Sequence, residues 1–104
     1  MLTVREIEEI VRRVVAHARP ERVILFGSYA KGTATIHSDL DLLVVKDTPL
    51  PLEKRADDLL PVVGGSPVPI DVHVYTPEEV SELAKEDLSF IATVLAVGRV
   101  MFAR

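Results

Sequence analysis

The chain has no cysteine and no tryptophan, and neither asparagine nor glutamine occurs anywhere in its 104 residues. Without cysteine there is no disulfide framework and no thiolate-ligated zinc, although the compartment stays open. No apolar run approaches the ~18 residues that a membrane-spanning helix needs. The N-terminal stretch carries Arg5 and alternating charges where a secretory signal would be apolar, so export is not expected and a cytoplasmic location is. Positive charge is also short: 12 basic residues face 16 acidic ones, a net charge of −4. A general nucleic-acid binder needs a basic face, so no direct nucleic-acid partner and no membrane partner are expected. The same charge suits a basic protein partner, an acidic metal site, or plain solubility. Thermolabile amides are depleted in hyperthermophilic proteins, which makes a thermophilic source an expectation. A GC-rich genome would leave the same bias.

What is present is apolar and alternating. Apolar residues make up 48% of the chain, enough for one modest core and one domain spanning residues 1–104. Thr3 and Glu6 fit a capping box, followed by Ile7, Ile10, Val11, Val14, Val15 and Ala18 at helical spacing until Pro20. Glu8–Arg12 and Glu9–Arg13 would pair on its exposed side. Arg22 to Phe26 reads as a buried strand, residues 28–32 as a short helix, and Leu40 to Val45 as a second strand. A helix from Pro51 or Leu52 to about Leu60 is predicted, then a turn at Gly64-Gly65-Ser66-Pro67. The third strand runs from about Val68 to Tyr75, with Pro67 and Pro69 hinting at a sheet edge. Thr76-Pro77-Glu78-Glu79 starts a helix. Asp87 or Ser89 then caps a second helix with Phe90, Ile91, Val94 and Leu95 on its apolar face and Gly98 as its C′ residue. Val100 to Phe102 is a candidate fourth, edge strand. The expected class is α/β (α+β): a small mixed β-sheet packed with helices.

The chemistry concentrates in Gly27-Ser28-Tyr29-Ala30-Lys31-Gly32 and Ser38-Asp39-Leu40-Asp41. Residues two apart on a strand face the same way, so Asp39 and Asp41 aim two carboxylates at one spot. Oxygen-only ligands with unrelieved negative charge suit Mg²⁺. Upstream, a small-residue turn lets backbone N–H groups approach a phosphate. Asp71 is the only acid of the third strand and alternates with Ile70, Val72 and Val74. If that strand neighbours the second, three carboxylates converge. Two Mg²⁺ ions roughly 3.5–4 Å apart could then be clamped for phosphoryl or nucleotidyl transfer.

A Gly-Ser turn, an Asp-x-Asp pair ten residues on and a later strand acid resemble the nucleotidyltransferase fold of the DNA polymerase beta superfamily. The likeness is greatest to the minimal nucleotidyltransferase (MNT) domains of the MntA-like antitoxin group, and it covers nearly the whole chain. The resemblance implies that Gly27 and Ser28 hold the β- and γ-phosphates of a nucleoside triphosphate. It implies that Asp39 and Asp41 bind both metals, and that Asp71 binds the catalytic metal and helps take the acceptor's proton. It also implies ATP as substrate, a HEPN-domain ribonuclease toxin as partner, and transfer of AMP to that toxin. No linker or acceptor-binding domain is visible, so a partner is expected to supply the acceptor, or the open sheet face to hold it.

Other residues keep two readings each. Lys31 either meets the triphosphate or is a solvated helix residue. Ser38 either orients Asp39 or only shapes the loop. His73 shares the Asp71 face, as an acid–base candidate or as an ordinary half-exposed strand histidine. His17 complements a helix C-terminus, and His37 has no assigned place. Tyr29 and Tyr75 read as core or rim before they read as adenine-stacking rings. Apolar surface on the last helix could support a homo- or hetero-oligomer. The competing function is a non-catalytic nucleotide-binding antitoxin that neutralises its partner by covering it. A small-molecule nucleotidyltransferase is a third reading, disfavoured by length.

Overall fold

A computed structural model describes residues 1–104. Helix α1 (Val4–Ala18) begins with the reciprocal Thr3–Glu6 capping box, Thr3 N–H donating to Glu6 at 2.8 Å. It ends where Arg19 turns left-handed ahead of Pro20. Strand β1 (Arg22–Phe26) leads into the one-turn helix α2 (Ser28–Lys31), and strand β2 (Leu40–Val45) follows after a loop. On α1 the exposed pair is Arg12–Glu9 at 2.7 Å, one step closer in sequence than the spacing predicted.

The predicted helix from Leu52 to Leu60 is broken and longer. It runs as α3 (Leu52–Arg55), a 3₁₀ turn (Ala56–Leu59) and α4 (Leu60–Val63). Pro61 is the reason. It has no N–H to give the residue-57 carbonyl, and its ring crowds that position. The Leu60 N–H takes the Asp57 carbonyl instead. Strand β3 (Ile70–Tyr75) starts two residues later than predicted, though the Pro69 carbonyl already accepts from the Leu40 N–H at 2.9 Å. Helix α5 (Pro77–Leu83) opens on a Thr76–Glu79 capping box, and Ser89 caps α6 (Phe90–Val97). Strand β4 (Arg99–Ala103) closes the order.

Gly98 is not the left-handed C′ residue predicted, since its φ is −75°. It is glycine for lack of room: a Cβ there would lie 2.5 Å from the Val94 carbonyl oxygen and 2.6 Å from Ile24 Cγ2. The chain can therefore turn from α6 straight into β4 beside β1.

The sheet order is β3-β2-β1-β4, with β1 antiparallel to both neighbours and β2 parallel to β3. The two prolines before β3 thus do precede an edge strand. One face packs against α1 and the 52–63 segment through Val23, Leu25, Leu40, Leu42, Val44 and Val74. The other face carries a smaller core of Ile24, Leu43, Val45, Val80, Ile91 and Val94 beneath α5 and α6. No helix is long and apolar enough to cross a membrane.

Candidate active site

The second face is only part covered, and its open part begins where the apolar run stops. Register places Phe26, Asp41 and Asp71 side by side across β1, β2 and β3. Aligned partners in a sheet point the same way, so the two carboxylates share a face at adjacent-strand spacing, about 4.8 Å. Asp41 belongs to a strand whose other five residues are all buried, which fixes its backbone. Its carboxyl is pushed above the ordinary aspartate value. Burial is the main cause, the Asp71 charge comes next, and Asp39 adds to it, while His73 acts in the opposite sense.

Asp39 lies just ahead of β2 and is exposed. Its loop is set by a turn in which Thr35 N–H donates to Ser38 Oγ at 2.9 Å and Ser38 N–H donates to Thr35 O at 3.0 Å. Ser38 therefore shapes the loop that delivers Asp39. The sequence suggested three converging carboxylates; the fold pairs Asp41 with Asp71 and keeps Asp39 nearby. No three acidic or imidazole groups close into a metal-ligand cluster. Like charges with no cation between them do not draw together.

The Gly27-Ser28 turn comes up against Asp41 from the β1 side. Gly27 has φ 75°, and a Cβ on it would run into Asp41 Oδ2 and sit 3.1 Å from Cγ. Only glycine lets this turn take that backbone shape and rest on the carboxylate. Ser28 is half-buried at the start of α2, and Lys31 is exposed at its end. The Ala30 and Lys31 N–H groups donate to the Gly27 carbonyl, and those of Ser28 and Tyr29 have no partner inside the helix.

The donor set can be tested against a divalent cation. Asp39, Asp41 and Asp71 offer only hard oxygen atoms, and none of them joins any of the chain's salt bridges with Arg, Lys or His. Uncompensated carboxylates of this kind fit Mg²⁺ better than a softer metal.

The remaining candidates fall elsewhere. The Tyr29 hydroxyl accepts from the Leu2 N–H at 3.0 Å, which makes it a strut for the N-terminus. His17 Nε2 lies 2.9 Å from the Asp58 carbonyl oxygen, and His37 is exposed in the loop. Tyr75 packs on the smaller core. His73 faces the site but lies among rings: Phe90 at 5.0 Å and Phe26 at 5.7 Å between centroids.

Sequence reasoning missed Arg55. It is only 9% exposed, donates to the Leu50 and Val74 carbonyls, and grips Glu79 at 2.6 Å. It thereby ties α3 to the edge strand and to α5. An arginine in a charged helical stretch carries no local signal of burial. The largest concavity, about 480 Å³, lies between α1 and β4 and away from the carboxylates.

Comparison with known proteins agrees with this arrangement. Residues 4–95 match the family model described as nucleotidyltransferase domain. A bifunctional uridylyltransferase/uridylyl-removing enzyme from Methylococcus capsulatus is 29% identical over 92 residues, 86% of this chain. The chain spans 10% of that relative's length. A Sulfolobus solfataricus protein assigned as a nucleotidyltransferase superposes with TM-score 0.65 and 23% identity, covering 94% of this chain and 78% of that one. A toxin–antitoxin structure with AMP-PNP gives TM-score 0.65 at 19% identity, with 93% and 73% covered. A mutant of the toxin–antitoxin pair MntA-HpeT gives 0.61 at 14%, with 92% and 71% covered. At these identities the structural likeness establishes the fold.

Proposed function

The chain belongs to the nucleotidyltransferase domain family, and on that premise we propose that it is a Mg²⁺-dependent nucleotidyltransferase acting as the antitoxin of a toxin–antitoxin pair. It moves a nucleoside monophosphate, AMP from ATP, onto a hydroxyl of a partner protein, breaking the bond between the α- and β-phosphates and releasing pyrophosphate, and that partner is a HEPN-domain toxin. The observation that carries the reading is the in-register Asp41–Asp71 pair with the Gly27 turn packed against it. The toxin–antitoxin neighbours support the antitoxin role.

In this reading Gly27 and Ser28 hold the β- and γ-phosphates, with Lys31 within reach of the same charge. Asp39, Asp41 and Asp71 would hold the Mg²⁺, two ions in this reading, which when bound would supply stabilisation of the charge that develops in the transfer. Asp71, on the outer strand, orients the acceptor hydroxyl and receives its proton. Asp41 stays fixed by its buried strand, so a bound cation would meet a carboxylate that need not reorganise. Ser38 holds the loop that presents Asp39.

A non-catalytic antitoxin is the second reading, which the toxin–antitoxin neighbours fit as well. One experiment separates the two. The protein encoded beside this chain is incubated with α-labelled ATP and Mg²⁺, using wild type and the Asp39→Asn, Asp41→Asn double variant. Label on the partner from wild type only, with an AMP-sized mass gain, is expected. A stable complex without label from either protein would establish the covering role instead.

A further inference from the structure

We propose that the ring layer beside the carboxylates, formed by Phe26, His73 and Phe90, seats the nucleobase, with the partly exposed Phe90 as its stacking surface. The inference rests on the triphosphate reading above and adds a base subsite to it.

The chain has three Phe and two Tyr. Phe26, Tyr75 and His73 on the sheet and Phe90 at the start of α6 gather at this one place, whereas Phe102 lies on the opposite face of the sheet. Phe90 lies 5.4 Å from Phe26 at an interplanar angle of 77°, 5.0 Å from His73 and 6.2 Å from Tyr75. Its contacts with these three rings are in edge and tilted geometries such rings prefer. Yet Phe90 is 41% exposed, while its neighbours Ile91 and Val94 are 1% and 2% exposed. The Ser89 cap fixes where α6 begins, and so keeps Phe90 at the rim. A ring in contact with three others that still meets solvent is a surface available to a further ring.

Its position suits a base. Phe26 shares a row with Asp41 and Asp71, and His73 follows Asp71 by two residues on the same face. Phe26 therefore ends the carboxylate row and His73 lies one row inward, while the Gly27-Ser28 turn lies on the outward side. A nucleotide with its outer phosphates on the turn and its α-phosphate at the row carries ribose and base over the rings. Stacking tolerates any planar base, and the layer offers ring faces with a single imidazole. It selects a nucleobase as a class and discriminates weakly within it.

The test is calorimetric titration of the full chain with ATP and with inorganic tripolyphosphate, both with Mg²⁺. Wild type, Phe90→Ala, Phe90→Trp and Asp41→Asn are compared. We expect wild type to bind ATP about tenfold more tightly than tripolyphosphate. Phe90→Ala should erase that preference and leave tripolyphosphate affinity unchanged, which also shows the variant is folded; Phe90→Trp should restore the preference. An ATP preference that survives Phe90→Ala overturns the proposal. So does wild type that binds both ligands equally, which would leave the rings to an acceptor side chain. Failure of the triphosphate reading looks different: tripolyphosphate affinity would then survive Asp41→Asn, whatever Phe90 does.

Discussion

The two faces of the sheet meet in β2 and use it differently. Leu40, Leu42 and Val44 point toward α1, Leu43 and Val45 toward α5 and α6, and all five are 0% exposed. Asp41 is the only residue of the strand that is not buried. The α1 face closes over a core of fourteen side chains, and the α6 face over six. The difference shows how a small domain holds a charged site rigid. Stability comes mainly from one face, and the other is left open just where the carboxylates need solvent, ion and substrate.

That division predicts a double dissociation. Asp41→Asn should lower transfer by about 10²–10³-fold, the scale of losing one positioned electrostatic group. The thermal midpoint without Mg²⁺ should not fall, because a charge facing Asp71 has been removed. Leu42→Ala should do the reverse. It leaves a cavity under α1 and should cost about 3 kcal/mol in denaturant unfolding, with transfer per folded molecule retained. If both variants moved both readouts alike, the two faces would not be separable.

Arg55 sharpens the comparison from the edge of the sheet. Arg55→Ala should cost about 2 kcal/mol, since the Leu50 and Val74 carbonyls and Glu79 lose their partner together. The Glu79 carboxyl is held below its ordinary value, first by the hydrogen bond from Arg55 and then by the Thr76 backbone. A carboxyl lowered in the folded state adds stability above its unfolded value of 4.5 and loses it as pH falls through the folded value. Wild type should therefore outlast Glu79→Gln at neutral pH by a few °C at most. The two melting curves should converge below pH 4.5. The smallest effect is expected at the turn between α5 and α6. Leu88 has φ 66° and is 97% exposed, a conformation that asparagine adopts more readily. Leu88→Asn should raise stability by about 0.5 kcal/mol in the same denaturation assay.

Much of this was legible in the sequence, for local reasons. Capping at Thr3 and Thr76 placed two helix starts, the third was narrowed to Asp87 or Ser89, and alternation around Asp71 placed β3. The Gly27-Ser28 turn and the Asp39/Asp41 spacing pointed to the site without any structure. What the sequence hid was non-local. The Pro61 break was visible as a proline, but its remedy through Asp57 depended on the packing. Arg55 gave no sign of burial, because its partners come from residues 50, 74 and 79. Phe90 read as an ordinary member of an apolar helix face, and its meeting with Phe26 and His73 needed the sheet order. Strand periodicity said which way Asp39 and Asp41 point; that Asp71 stands beside Asp41 needed the β2–β3 register.

The most direct test of the divided sheet is paramagnetic broadening of amide NMR signals by Mn²⁺ used in place of Mg²⁺, with ATP present. The account predicts early loss of signals around Gly27, Ser28, Asp39, Asp41 and Asp71, with the amides of α1 spared and the effect abolished in Asp41→Asn. Broadening centred on the glutamates of α1 or α5, or unchanged by Asp41→Asn, would contradict it.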